Sequence, residues 1–249
     1  MMRSIMHSVI VLFLGAISFS DAHANTLVIM LRIDDVIFIA AESKLSKANG
    51  RDIGSACKIH VTDQFVWATS GILNDPRSTF DTWATTEAAI KAGGSFDEIV
   101  SRFDRELASQ LKELLPRIKR DDPLSYDETV KSGHAVTVFF IKNFEVRISD
   151  FTLPNKETPN GIEVIDQSCP GNLCISNPKM IAMMGYFDAA KIEVERRPQI
   201  LDQMGIMPAL NYLMDIQHNA TPTRVAPPVS ILQVDKSGAL SWLQNGVCN

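Results

Sequence analysis

The hydrophobic positions of this chain fall into short, dense runs separated by polar pairs. Leu27 to Ile33 and Val36 to Ala41 are almost continuously apolar and flank Asp34-Asp35, a pair suited to a tight turn. Strands with so little alternation are covered on both faces. Lys58 to Val61 and Phe65 to Thr69 flank Thr62-Asp63-Gln64 in the same way. The stretch from Thr26 to Gly71 therefore reads as two consecutive hairpins, and sheets covered on both sides need further layers outside them.

The period then changes. Ser78 to Ala92 is helix-like and stops at Gly93-Gly94. Ser95-Phe-Asp-Glu98 is a capping-box sequence. Phe96, Ile99, Val100, Phe103, Leu107, Leu111 and Leu114 follow it near a 3.6-residue period. Pro116 and the charged run Arg117 to Asp122 are expected to end that helix, leaving residues 121–132 as a solvated loop. His134 to Lys142 and Glu145 to Leu153 predict a hairpin through Asn143-Phe144. Thr158-Pro-Asn-Gly161 marks a turn, and Gly161 to Gln167 a further strand. Two helical stretches are expected at about Pro178 to Arg196 and Gln199 to His218, then a loop from Thr221 to Pro228. Val229 to Val234 and Ala239 to Leu243 form a last hairpin through Asp235-Lys-Ser-Gly238. This order predicts an α+β fold, a four-layer αββα sandwich of two antiparallel sheets between helical layers.

Composition narrows the setting. The 249 residues are 45% hydrophobic and 21% charged, ordinary values for a globular chain. A net charge of −5 with no basic stripe argues against nucleic acid as a partner. One long apolar run exists, at the N-terminus. Met1 to Arg3 form a short basic region, Val9 to Ile17 an apolar core, and Ala22-His23-Ala24 an A-x-A cleavage box. This reads as a secretory signal peptide, too short for a membrane span. The expected division is residues 1–24 as signal peptide and 25–249 as a single exported domain, secreted or periplasmic. Cleavage after Ala24 leaves Asn25 ahead of Thr26, so exposing Thr26 requires a different cleavage point, trimming, or self-processing at Asn25-Thr26.

Export makes disulfides permissible. Cys169-Pro-Gly-Asn-Leu-Cys174 reads as a tight loop closed by a disulfide, which leaves Cys57 and Cys248 to pair across the fold. The sequence does not fix that connectivity. A redox or metal role for Cys169 and Cys174 is the weaker reading, since the spacing is not C-x-x-C and no His lies nearby. His60, His134 and His218 are scattered, so no metal cluster is expected. Ser70 has no Gly-x-Ser-x-Gly frame, and Trp67, Trp83 and Trp242 read as core or rim residues.

Four residues carry candidate chemistry. Thr26 heads the first strand, Glu42 ends the second, Lys58 opens the third and Gly71 closes the fourth. A hydroxyl, a carboxylate, an ammonium and a glycine amide are thereby brought toward one end of a sheet. This placement resembles the opening of a proteasome β-subunit and, more broadly, of the N-terminal nucleophile (Ntn) hydrolases. The resemblance implies Thr26 as nucleophile, Lys58 as the basic residue and Gly71 as the oxyanion-hole glycine. Glu42 stands where the family has Asp, and Lys44 where it often has a basic residue. The order of elements resembles the family's as far as about Leu243.

A threonine hydroxyl needs a base, which a free N-terminal amine supplies with a reference pKa of about 7.7–8.0. A charged Lys58 would lower the pKa of that amine, and Glu42 would hold Lys58 by a charge-assisted hydrogen bond. The Gly71 amide would donate to the developing oxyanion. The implied reaction is hydrolysis of a peptide or amide bond through an acyl-enzyme on Thr26, with no metal or organic cofactor. Three departures from the family stand out, the first being Asn25 ahead of Thr26. The family's Gly-Ser-Gly turn is reduced to Gly185-Tyr186, and its Asp and Ser-Gly-Gly ahead of the penultimate strand are replaced by the residues from Thr221 to Pro228. They leave a second expectation, a non-catalytic exported protein on the same scaffold, used for binding or assembly. Rings are common in the family, so the resemblance also implies homo-oligomers.

Overall fold

The computed structural model describes residues 10–13, 26–46, 52–62, 65–75, 78–153, 161–174 and 180–248. In chain order the elements are β1 (Ile10–Phe13), β2 (Leu27–Ile33), β3 (Val36–Glu42), β4 (Lys44–Ser46), β5 (Asp52–Ser55), β6 (Ile59–Thr62) and β7 (Phe65–Gly71). Helices α1 (Thr82–Lys91), α2 (Phe96–Asp121) and α3 (Pro123–Ser132) follow, then β8 (His134–Lys142), β9 (Glu145–Thr152), β10 (Glu163–Cys169) and β11 (Met180–Gly185). The chain continues with α4 (Asp188–Arg196), α5 (Ile200–Met204) and α6 (Ile206–Ala220), then β12 (Val229–Asp235) and β13 (Leu240–Gln244). This is an α+β fold. One sheet has the order β1-β11-β2-β3-β12-β13, a second the order β10-β9-β8-β7-β6, and β4 pairs with β5 as a small ribbon.

The continuous apolar runs are explained by three clusters of side chains. Val28 and Met30 of β2 join one cluster that also contains Val66, Ala68, Phe139 and Ile141 of the other sheet. Leu27, Ile29 and Leu31, pointing the opposite way, pack with Ala190, Leu210 and Leu213 of α4 and α6. On β8, Val136, Val138 and Phe140 turn instead to Phe103, Leu107 and Leu111 of α2. Each central strand thus serves two apolar environments, and a strand that does so has no reason to alternate.

The hairpins at Asp34-Asp35 and Asn143-Phe144 form as expected. Asn143 and Phe144 both take left-handed φ, 49° and 66°, as the two-residue turn matching strand twist requires. The capping box is present: Glu98 N donates to Ser95 Oγ at 3.3 Å and Ser95 N to Glu98 Oε2 at 2.7 Å.

Three expectations are corrected, and one element is new. Helix α2 does not end at Pro116 but runs on to Asp121. A proline inside a helix costs about 3 kcal/mol, yet burying Leu114, Leu115 and Ile118 returns roughly 1.5–3 kcal/mol each. The expected loop at 121–132 contains α3. Pro123 occupies its first turn, where a missing N–H costs little, and Tyr126, Thr129 and Val130 bury one face. The helical stretch from Pro178 contains instead the strand β11, antiparallel to β2 from Met180↔Arg32 to Gly185↔Leu27. Met180, Ala182 and Met184 face one cluster and Ile181 and Met183 another, a division only a strand provides. The ribbon β4–β5, between the first two hairpins, was not expected.

Of the expected signal peptide, only Ile10–Phe13 is described, and it pairs in parallel with β11. The cleavage box and Asn25 lie outside the described residues, as does most of the turn at 158–161. Among the described residues no helix is long and apolar enough to cross a membrane. Both expected disulfides are formed, Cys57–Cys248 and Cys169–Cys174, with Cα separations of 4.8 and 5.1 Å.

Candidate active site where β2 begins

Antiparallel pairing puts the start of β2 and the end of β3 at the same edge of the six-stranded sheet, with Val28 opposite Ala41. The start of β12 joins them through Val229↔Glu42, and the end of β11 through Gly185↔Leu27. From the five-stranded sheet, Lys58 precedes β6, while Ser70 and Gly71 close β7.

These positions converge on Thr26. Lys58 Nζ donates to Thr26 Oγ1 at 2.5 Å, and the Tyr186 amide donates to the Thr26 carbonyl at 2.9 Å. Thr26, Glu42 and Lys58 are all buried, at 0%, 1% and 1% exposure. Gly185 has φ +86°, and a Cβ there would overlap the Thr26 carbonyl and stand 2.7 Å from Ser70 Oγ. A glycine is required for β11 to pass this close to Thr26. Gly71 has φ +103°, and a Cβ there would overlap the Ala135 carbonyl of β8. Gly71 therefore seats β7 tightly against β8 beside Ser70.

Glu42 is held by backbone. Its Oε2 accepts from the Lys44 amide at 2.6 Å and from the Ala226 amide at 3.4 Å, while the buried Oε1 accepts no hydrogen bond. Burial pushes its carboxyl up to about 7, opposed by the Lys58 charge and by neighbouring amides. Burial lowers the Lys58 ammonium, opposed by Glu42. The coupling of the two is Coulombic, with no ion pair between them within hydrogen-bonding reach. Each charge makes the other tolerable in a site that would neutralise either alone.

Lys44 does not join the site through its side chain. Its Nζ donates to the Pro222 carbonyl at 3.1 Å and lies 4.0 Å from Asp52. The loop from Thr221 to Pro228 closes over Glu42 through the Ala226 amide and through Ser43 Oγ, which donates to the Pro228 carbonyl at 2.7 Å.

A polar row extends across the second sheet. Ser70 lies opposite Thr137, and Thr137 Oγ1 and His134 Nδ1 both meet Asp150 Oδ1 at 2.9 Å. Toward α1, His60 stacks on Trp67 with ring centroids 4.0 Å apart, and Trp83 Nε1 donates to Thr69 Oγ1 at 2.9 Å. Burial first, then the Lys58 charge, lowers the His60 imidazole to about 4. Among the described residues no group of three or more His, Cys, Asp or Glu could hold a metal ion.

Sequence reasoning named Thr26, Glu42, Lys58 and Gly71, and the structure brings Thr26, Glu42 and Lys58 together. It missed Ser70, Tyr186 and Ala226 as neighbours of the site. Ser70 had been judged only against a different nucleophile frame. Tyr186 and Ala226 act through backbone amides, which leave no side-chain signal.

The α+β fold is proteasome-like and Ntn-hydrolase-like on its likeness to solved structures. Among solved structures the chain is similar to Anbu (ancestral beta-subunit) from Yersinia bercovieri, at 15% identity and a TM-score of 0.50, over 87% of this chain and 86% of that one. That likeness shows the fold. Looser matches are the Anbu (Gly-1) mutant from Hyphomicrobium sp. strain MC1, at 14% identity and TM-score 0.49 over 87% and 84% of the two chains, and eukaryotic HslV from Trypanosoma brucei, at 14% and 0.42 over 84% and 99%. No family model matches the chain, and no curated protein matches it in sequence.

Proposed function

We propose that this protein is an exported, proteasome-like N-terminal threonine hydrolase that cleaves a peptide or amide bond through an acyl-enzyme on Thr26. The observation that carries this reading is the hydrogen bond from the buried Lys58 Nζ to Thr26 Oγ1 at 2.5 Å. The three apolar clusters fit the four-layer αββα arrangement, and the two disulfides fit an oxidising compartment reached by export.

In this reading a cut at Asn25-Thr26 frees the amine of Thr26. The Thr26 hydroxyl proton passes to that amine, and Oγ1 attacks the substrate carbonyl carbon. Lys58 stabilises the negative charge gathering on Oγ1, and Glu42 keeps Lys58 protonated despite its burial. The Gly71 amide donates to the oxyanion of the tetrahedral intermediate. Collapse of the intermediate releases the amine product, which takes the proton, and water then hydrolyses the ester to return the hydroxyl. No metal or organic cofactor has a step in this chemistry. The resemblance extends the reading to homo-oligomers.

The test is the mature N-terminus together with a covalent probe. Intact-mass analysis of exported protein is expected to show Thr26 as the first residue, and a small β-lactone to add once, at Thr26. Retention of Asn25 with no adduct would sink the hydrolase. It would favour the second reading, a binding or assembly protein on the same fold, which draws on the Tyr186 and Thr221–Pro228 departures.

A further inference from the structure

Lys58 sits at a junction. On its C-terminal side β6 begins at once, with Ile59 paired to Ala68. On its N-terminal side lie Cys57, then the exposed end of the β4–β5 ribbon, where Gly54 and Ser55 face solvent. The segment that must aim Lys58 at Thr26 is therefore held by the β6 ladder on one side and, on the other, by the Lys44–Ser55 pair of the small ribbon and the Ala56 amide, with Cys57 itself outside both ladders.

Cys57 adds a covalent tie at this junction. Its disulfide joins it to Cys248, 191 residues away in sequence and 2% exposed. Just before Cys248, the Gly246 amide donates to Ser230 Oγ at 3.1 Å. A Cβ on Gly246 would stand 2.8 Å from the Val229 carbonyl, so the terminal segment lies flat against the start of β12. Val229 and Ser230 pair with Glu42 and Ala41 of β3. The Ala56 amide, next to Cys57, donates to the Ser43 carbonyl at 2.8 Å, next to Glu42. A closed circuit results. It runs from Glu42 through Ser43, Ala56 and Cys57 to Cys248, Gly246 and β12, and back through the β-ladder to Glu42. Lys58 hangs from the middle of it. Cys169 and Cys174 are only 5 positions apart, and their loop lies at the opposite end of its sheet, with Cys169 paired to Val146 beside the hairpin turn.

We propose that the Cys57–Cys248 disulfide is a positioning element for Lys58, fixing its ammonium between Thr26 and Glu42, so that an oxidised C-terminal strap is a condition of a competent site. The inference rests on the threonine-hydrolase reading for its consequence and on the circuit alone for its structural content. A merely stabilising crosslink would raise the melting temperature without singling out Lys58.

The experiment compares three exported proteins: wild type, C57V/C248V and, as a control for loss of any crosslink, C169V/C174V. Each is treated below its melting temperature with an N-hydroxysuccinimide acetate, and acetylation at Lys58 is read by peptide mass mapping. Each is also titrated with the β-lactone probe across pH. Lys58 is expected to be protected in wild type and control and acetylated at least ~10-fold faster in C57V/C248V. Probe addition at Thr26 is expected to fall by at least ~10-fold in C57V/C248V alone, with its pH profile displaced. If C57V/C248V does not fold, wild type reduced at a temperature where its near-ultraviolet dichroism persists replaces it, and reoxidation must restore protection. Equal Lys58 protection in all forms, or measurable Thr26 labelling that is the same in all of them, overturns the proposal. If Lys58 loses protection but no form ever labels at Thr26, the strap stands and the hydrolase falls. If all forms label equally, the hydrolase stands and the strap falls.

Discussion

Lys58 Nζ and Thr26 Oγ1 are hydrogen-bonded at 2.5 Å across the gap between two sheets, and both residues are sealed from solvent. A lysine at a strand end is ordinarily a solvated charge whose pairing contributes little. This one is buried, faces a hydroxyl, and balances a carboxylate whose Oε1 accepts no hydrogen bond.

Lys58→Met should therefore act on both chemistry and stability. Probe addition at Thr26 is expected to fall about 100-fold or more, the range for losing a positioned proton or charge partner. Stability should fall by about 3–5 kcal/mol at pH 8, because without Lys58 the buried Glu42 must either carry an unpaired charge or take up a proton that the unfolded chain does not hold at that pH. The loss should shrink toward pH 5. The folded carboxyl already lies well above its unfolded value, and removing Lys58 raises it further. The folded state then holds a proton that the unfolded chain has released, so stability declines as pH rises through that window. Urea melts at the two pH values check this. Adding Glu42→Gln to Lys58→Met should recover most of the loss, and a double variant no more stable than Lys58→Met would contradict the coupling.

Gly185→Ala should be far worse than an alanine at an equally strained but open glycine. Gly185 at φ +86° and Gly238 at φ +84° share the same backbone penalty, of order 1 kcal/mol. A Cβ on Gly238 meets nothing within 4 Å, whereas one on Gly185 overlaps the Thr26 carbonyl. The excess destabilisation in Gly185→Ala, expected at about 1–3 kcal/mol, is the price of moving Thr26. Thermal melts of the two variants should separate by several degrees, and only Gly185→Ala should lose probe addition.

Pro116→Ala should stabilise the protein. The helix around Pro116 is continuous, so alanine restores a helical donor and removes the ring's steric conflict. Lost rigidity of the unfolded chain offsets about 0.4–1 kcal/mol of the roughly 3 kcal/mol gained. A net increase of about 2 kcal/mol in denaturant melts is expected, and a decrease would mean that the ring itself is packed.

Much of this architecture was legible because apolar density and turn chemistry are local. Asp34-Asp35 and Asn143-Phe144 announced hairpins, and Ser95 with Glu98 announced a helix start. The misreadings occurred where local preference lost to packing. Pro116 should stop a helix, but Leu114, Leu115 and Ile118 had a cluster to fill. Met180 to Gly185 carries no period that separates strand from helix, and only its place between two apolar clusters decides. Of the candidate site, Thr26, Glu42 and Lys58 were legible as strand ends in a family-like register. The amides of Tyr186 and Ala226 were not, since any residue supplies them. Ser70 becomes meaningful only once β7 and β11 are laid side by side.

His60 offers a pH signature separable from the site's own charges. It stacks on Trp67 and lies 4.7 Å from Trp83, and burial lowers its imidazole to about 4 from an ordinary value near 6.5. Below the ordinary value the unfolded chain binds a proton that the folded chain refuses. The stabilising contribution is therefore complete above about pH 6.5 and is lost as pH falls toward 4. The shift corresponds to about 3 kcal/mol at most. Glu42 and Asp104, whose carboxyls are raised, have the opposite slope through part of this range, so the wild-type profile alone is a mixture. His60→Phe keeps the stack and removes the titration. The difference between the two proteins, read as denaturation free energy at pH 7, 5.5 and 4.5, should shift steadily in favour of His60→Phe as pH falls. Parallel profiles would mean that the imidazole is protonated in place, shielded by its neighbours rather than neutral among them.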